Sequence, residues 1–213
     1  IGMGLGALNG LVIAYGKVAP FIATLATMTI YRGLTLVYTN GNPISGLSDD
    51  PLFQNFGQGF IMGLPVPALI MLLAFAVSWF ILRKTPLGRK IYAVGGNEKV
   101  SFIAGIKIER VKIFVYAITG FFCALAGAVL TSRLNSAQPT AGTGYELDAI
   151  AAVVLGGTSL SGGKGYITGT LVGVLIIGTL NNGLNILDVS SFYQQVVKGI
   201  VILLAVLMDR KKA

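Results

Sequence analysis

The run "GGTSLSGGKG" at residues 156–165 is rich in glycine and carries a lysine near its end, which invites a test for nucleotide chemistry. A phosphate-binding loop sets a glycine, four residues, then Gly-Lys-Ser/Thr. Its backbone N–H groups wrap the phosphates, the lysine reaches them and the hydroxyl holds magnesium. Counting back from Gly163-Lys164 puts Thr158 where the first glycine belongs, and Gly165 stands where the hydroxyl belongs. Both anchor positions fail. Apolar segments flank the run and no βαβ pattern surrounds it, so it reads as a flexible turn between two membrane segments.

Other reactive chemistry is sparse. The chain has no histidine, which excludes histidine catalysis and histidine metal sites, and its single Cys123 cannot pair within one copy. No two carboxylates stand at catalytic spacing on one helix, and Ser159 and Ser161 are loop hydroxyls without a base. Neither an enzyme, a metal site nor a cofactor is expected.

The polar residues that remain lie in or beside apolar runs. Glu146 and Asp148 open a short apolar segment, either at the mouth of a translocation path or as acids favoured at a helix N-terminus by the macrodipole. Asn181 and Asn182 fall inside an apolar span, where amides must find partners on a neighbouring helix or in a polar pathway. Arg32 and Lys198 are the bases placed within spans, which flags function by default. Lys198 is about two turns from its helix end and has two alternatives, to snorkel or to pair.

The elements that must position these residues are membrane helices. Hydrophobic residues make up 54% of the 213 and charged residues 11%, against about 25% charged in a soluble domain. Mean hydropathy is +0.78. A transmembrane helix needs about 20 largely apolar residues, and segments 20–38, 60–82, 111–132, 166–187 and 192–208 qualify. Segment 1–16 begins inside an apolar glycine-rich stretch, so earlier spans are expected to precede it. Segment 146–157 is about half a span, tolerated at membrane depth only where protein buries it or it lines a water-filled cavity.

Alternating these seven through the bilayer puts Lys17, the loop 83–112, Lys164 and the tail Arg210, Lys211 and Lys212 on one side. That side holds thirteen of the sixteen basic residues. The other side carries 40–59, 133–145 and 188–191, with Arg133 as its base and Asp49, Asp50 and Asp188 among its acids. By the positive-inside rule the basic side is cytoplasmic. The net charge of +8 therefore reflects topology and not nucleic-acid binding, since the bases sit in short loops beside apolar spans.

Small residues crowd the spans, with Gly169, Gly173 and Gly178 recurring near one face, as close helix packing in lipid requires. The loop 83–112 is built as a partner surface: Gly95-Gly96 as a turn, a short helical run over 97–104, and Gly105 as its stop. No linker divides the chain, so 1–213 reads as a single transmembrane domain.

Four stretches resemble the permease subunits of bacterial ABC importers for monosaccharides, and among them those that carry ribose. They are "PFIATLATMTIYRGLTLVYTNGNPI" (20–44), "TPLGRKIYAVGGNE" (85–98), "SAQPTAGTGYELDAIAAVVLGGTSLSGGKG" (136–165) and "LNNGLNIL" (180–187). The resemblance runs over essentially the whole chain. It implies an all-α polytopic membrane helix bundle, similar to the large-importer architecture of the vitamin B12 permease. It further implies a second permease copy, a cytoplasmic ABC ATPase that hydrolyses the ATP, and a periplasmic sugar-binding protein.

The same resemblance implies that the loop is a coupling helix, with Gly95, Gly96, Asn97, Glu98 and Gly105 at matching positions and Glu98 at the groove of the ATPase. Where the family follows that glutamate with two small residues, this chain has Lys99 and Val100. Glu146, Asp148, Asn181 and Asn182 are the expected substrate pathway. An ion-coupled secondary transporter would use mid-span acids, and Glu146 and Asp148 lie near one end. Importers of xylose, galactosides or autoinducer-2 are closer competitors, since specificity in such systems resides mostly in the binding protein.

Overall fold

The structure, a computed structural model, describes residues 1–47 and 50–210; Asp49, Lys211 and Lys212, which the alternation places in loops, lie outside the described residues. Among the described residues the chain forms ten α-helices and four two-residue strands. Four helices are long and apolar enough to cross a membrane: α2 (Pro20–Thr39), α4 (Val66–Lys84), α7 (Ile108–Leu134) and α9 (Ile167–Ile186). The expected span 192–208 is also helical, as α10 (Ser191–Arg210), with Gln194, Gln195 and Lys198 in its first half. Segment 1–16 forms α1 (Gly2–Gly16), and the half-span forms α8 (Tyr145–Leu155), eleven residues long.

Local chemistry sets the boundaries. Pro20 opens α2 with its φ already fixed for a helix. The helix ends on left-handed Asn40, where the Asn40 N–H reaches the Val37 carbonyl and the Gly41 N–H the Leu36 carbonyl at 3.0 Å.

The span expected to begin at Phe60 begins instead at Val66. Residues Phe60–Ile61 (β2) and Leu64–Pro65 (β3) pair as an antiparallel hairpin around Met62 and Gly63, whose φ angles are 51° and 79°. Two positive φ angles in a two-residue loop match the twist of a hairpin, a feature that apolar composition conceals.

The chain divides into two compact units, Ile1–Val77 with Lys99–Ala141, and Ser78–Glu98 with the chain from Gly142 onward. In the first unit α1 lies along α7 with backbone against backbone. A Cβ on Gly6 would stand 2.2 Å from the Tyr116 carbonyl oxygen, and one on Gly120 2.3 Å from that of Gly2. Gly2, Gly6 and Gly10 recur every four residues and so share one face, the arrangement by which helices approach closely in lipid.

The segment between α2 and α4 in that unit is also structured. Helix α3 (Pro51–Gln58) is capped by Asp50, whose carboxylate accepts from the Leu52 N–H at 2.9 Å. Its Gln58 amide donates to the carbonyls of Ser132 and Arg133, and the Ser132 hydroxyl donates to the Phe53 carbonyl. The two Gln58 bonds engage carbonyls in the last turn of α7, and the Ser132 bond ties that turn back to α3. Strand β1 (Ile44–Ser45) pairs antiparallel with β4 (Ser136–Ala137), Ile44 opposite Ala137. The pairing joins two segments that the charge-based alternation assigned to the same side.

In the second unit α8 packs on α9. A Cβ on Gly173 would meet the Ala152 carbonyl oxygen at 1.9 Å, and one on Gly169 that of Gly156 at 2.0 Å. Ala151, Ala152 and Ile177 form the buried cluster there, with Val174 and Val201 against it. Gly178, expected on the same face, has nothing within 4 Å. The row of four-residue steps from Gly169 and Gly173 continues to Ile177 instead.

Candidate functional site

The second unit holds a polar cluster at the start of the half-span. Helix α8 has no side-chain cap on Gly144; the Glu146 carboxylate accepts from the Gly144 N–H at 3.1 Å and so serves the helix terminus locally. Asp148, two residues on, points its charge elsewhere. Its Oδ2 accepts from the Lys198 ammonium at 2.9 Å and from the Asn181 amide at 3.3 Å. Lys198 therefore pairs, with Asp148 as its counter-ion, and the Asn181 amide joins α9 to α8.

The pair is partly shielded, with 28% of the Lys198 side chain and 18% of that of Asp148 exposed. An isolated charge at membrane depth is costly, and pairing makes the cluster neutral as a whole. One acceptor is left over: the Asn181 Oδ1 is buried with no hydrogen-bond partner. Asn182 is exposed and not drawn into the cluster. Arg32 lies half-buried in α2 with no acidic partner among the described residues.

The second locus is on the basic side. Thr85 caps α5 (Pro86–Gly96), its hydroxyl accepting from the Gly88 N–H at 3.2 Å. Gly95 and Gly96, expected as a turn, are the last two residues of this helix. The close approach there rests on Gly162 and Gly163 and, less tightly, on Gly95, where a Cβ would lie 3.0 Å from the Gly163 N; one on Gly96 would make ordinary contact at 3.8 Å. A Cβ on Gly162 would lie 2.3 Å from the Gly95 oxygen, and one on Gly163 2.7 Å from the Gly96 Cα.

The run 156–165 is therefore a turn between α8 and α9, docked on the end of α5. Its Ser159 N–H bonds the Lys164 carbonyl at 3.0 Å, and the Tyr92 hydroxyl donates to the Gly165 carbonyl at 2.8 Å. A helix precedes it where a phosphate-binding loop would have a strand. Tyr92 was not singled out in the sequence; a tyrosine in a basic loop carries no signal of a partner more than seventy residues away.

Asn97 is extended and closes α5, and the helical run expected over 97–104 is α6 (Glu98–Ile103). Gly105 stops it as expected. With φ at 79° its N–H reaches the Phe102 carbonyl at 2.9 Å while the Ile106 N–H reaches that of Ser101 at 3.0 Å. The helix buries Ser101 yet leaves Val100, Phe102 and Ile103 exposed at 60%, 69% and 85%. Three apolar side chains thus stand exposed on one six-residue helix.

Among the described residues no group of three or more histidine, cysteine or acidic side chains stands close enough to hold a metal ion. The second unit thus holds a neutral polar cluster inside apolar helices and an ordered turn against the end of α5, while α6, all but its first residue in the first unit, carries exposed apolar side chains.

The family model described as branched-chain amino acid transport system / permease component matches residues 1–206. The chain is 70% identical over 205 residues to the ribose import permease protein of Bacillus subtilis strain 168, covering 96% of this chain and 64% of that protein. It is 56% identical to the ribose import permease protein of Escherichia coli strain K12, over 100% of this chain and 67% of the relative. The D-allose transport system permease protein of the same strain is 46% identical over 99% of this chain and 64% of its own length. The chain thus spans roughly two thirds of the length of these relatives. No solved structure matches. With its apolar helices and this match over nearly its whole length, the chain is a multi-pass inner-membrane protein that belongs to the branched-chain amino acid transport system permease component family.

Proposed function

We propose that this chain is part of the permease subunit of an ATP-driven importer that carries ribose across the bacterial inner membrane by alternating access. The observation that carries this reading is the identity to proteins named ribose import permease. It stands at 70% and 56%, against 46% to the allose permease. The amino-acid cargo in the family's description is less specific than these relatives, because a scaffold hosts many substrates.

In this reading residues 1–213 belong to one permease domain that pairs with a second copy. A separate ABC ATPase subunit hydrolyses ATP, consistent with the failure of the run 156–165 as a nucleotide loop. A periplasmic sugar-binding protein delivers ribose from the outer side. Gly95, Gly96, Asn97, Glu98 and Gly105 form the coupling element, and Val100, Phe102 and Ile103 enter the ATPase groove with Glu98 at its rim. Lys99 and Val100, larger than their family counterparts, enlarge that contact.

Glu146, Asp148, Asn181 and Asn182 belong to the substrate pathway. Asp148 and Asn181, tied to Lys198, form its fixed wall, and the exposed Asn182 and Glu146 offer hydrogen-bonding groups to a passing hydroxylated solute. Movement of α6 by the ATPase changes the relative stability of inward- and outward-open states, a coupling between distant sites.

The test is uptake of radiolabelled ribose by cells lacking their own ribose importers. The cells express the full-length gene with its cognate ATPase and binding protein, and unlabelled allose, xylose, galactose and autoinducer-2 serve as competitors. Ribose uptake that needs an intact ATPase and resists the competitors is expected. ATPase-dependent uptake of a competitor in its place would move the substrate, and uptake independent of the ATPase would overturn the importer class.

A further inference from the structure

We propose that a cleft where the ends of α4 and α9 meet the turn 163–166 binds the phosphoryl head of an anionic membrane lipid. The cleft holds about 380 Å³ and lies wholly within the second compact unit. Trp79, Leu82, Arg83, Tyr92, Lys164 and Tyr166 are the lining residues that matter.

Depth is the first argument. Arg83 lies in the last turn of α4, and Ile167 and Thr168, which also line the cleft, open α9. Both helices are long and apolar enough to cross a membrane. A cleft between the end of one such helix and the start of another lies where apolar core gives way to headgroups.

Charge is the second. Arg83 and Lys164 both line the cleft and neither has an acidic partner among the described residues. Lys84 adds a third cation beside it, its ammonium 5.8 Å from the centre of the Trp79 ring. The planar guanidinium donates two parallel hydrogen bonds to phosphate oxygens, and an ammonium completes the neutralisation as a point charge. Basic pockets between transmembrane helices on the cytoplasmic side are suited to anionic headgroups.

The lining also separates a lipid from a free anion. Trp79, Tyr92 and Tyr166 are rings with an apolar body and a polar tip, the side chains favoured at headgroup depth. Leu82 and Ile167 add aliphatic wall that inorganic phosphate would not use but a glycerol backbone and the first acyl carbons would. The bound headgroup would hold Lys164 beside Arg83 and so fix the turn on which α5 closes.

The test uses the full-length protein in phosphatidylcholine vesicles doped with spin-labelled phosphatidylglycerol or spin-labelled phosphatidylcholine. The motionally restricted lipid is read by electron paramagnetic resonance. Preference for phosphatidylglycerol is expected, falling roughly five-fold for each charge lost in Arg83→Gln and in Lys164→Gln. Arg83→Lys should keep most of it. The pair Arg89→Gln and Lys90→Gln removes the same charge from exposed side chains outside the cleft and should leave the preference nearly intact.

An equal loss in that control pair, or no preference in the unaltered protein, would overturn the site. Sodium phosphate is compared with sodium chloride at equal ionic strength. Equal displacement of the labelled lipid by the two salts supports the lipid assignment. Greater displacement by phosphate, abolished by Arg83→Gln with Lys164→Gln, would show a free-phosphate site instead.

Discussion

Lys198 and Asp148, fifty residues apart in sequence, meet at 2.9 Å and tie α10 to α8. The same carboxylate oxygen accepts from Asn181 of α9, so a helix of eleven residues is held from two sides at one atom. A half-span cannot be fixed in register by length alone, and this junction supplies what the missing turns would.

Removing one partner should therefore cost more than removing both. Breaking a fully buried pair costs 3–5 kcal/mol; with both side chains partly exposed, Lys198→Met should destabilise by about 1–3 kcal/mol, read as a fall in melting temperature in detergent. The double variant Asp148→Asn with Lys198→Met should regain much of that loss. Simple additivity of the two single changes would show that the contact is energetically idle.

Gly6 and Gly4 offer a matched pair on one helix. A Cβ at Gly6 collides with the Tyr116 carbonyl, whereas one at Gly4 has nothing within 4 Å. Gly6→Ala should cost about 1–3 kcal/mol as overpacking. Gly4→Ala should be neutral or add up to about 1 kcal/mol of helix stability. Equal melting temperatures for the two variants would contradict the close seam between α1 and α7.

Tyr92→Phe keeps the ring and deletes one hydroxyl, removing the bond to Gly165 at a cost of about 1 kcal/mol. The turn, more than the helices, should register the change. Amide exchange at Ser159 and Gly162, whose N–H groups close the turn, should quicken several-fold while α8 and α9 keep their protection. Unchanged exchange in the turn would mean that glycine packing alone holds it.

Glu98→Lys tests the coupling assignment. The variant should insert and assemble normally yet fail to link ATP hydrolysis to ribose uptake, with transport falling at least tenfold. Phe102→Ser should weaken the ATPase complex by about 1–3 kcal/mol of binding if that ring fills a groove. Normal uptake in Glu98→Lys would remove α6 from the coupling path.

The membrane helices were legible because an apolar run of span length has few alternatives, and α2, α7 and α9 depart from the expected limits by three residues at most. The hairpin at 60–65 was not, since Phe60, Ile61 and Leu64 read as span by hydropathy; the signals against it were Gly63 and Pro65, a proline that ends β3 just before α4 begins. Helix α3 did carry a signal, Asp50 followed by Pro51, the cap and first residue of a helix. It stood in a stretch read only for its charge. Gly95 and Gly96 show the converse error, because glycine marks both a bend and a close approach. Which one applies depends on a backbone contact from the loop 162–163. Asp148, Asn181 and Lys198 were each found singly as polar residues in apolar surroundings. Their meeting was invisible, because spacings of 33 and 50 residues encode no geometry.

The seam of Gly2, Gly6, Gly10 and Gly120 has a consequence at the level of the gene. No amino acid is smaller than glycine, so these four codons have no conservative neighbours: every missense change, alanine included, adds a carbon where another helix already stands. Elsewhere on α1 and α7 drift can exchange one aliphatic side chain for another at little cost, but along this line even the mildest change carries an overpacking penalty of about 1–3 kcal/mol.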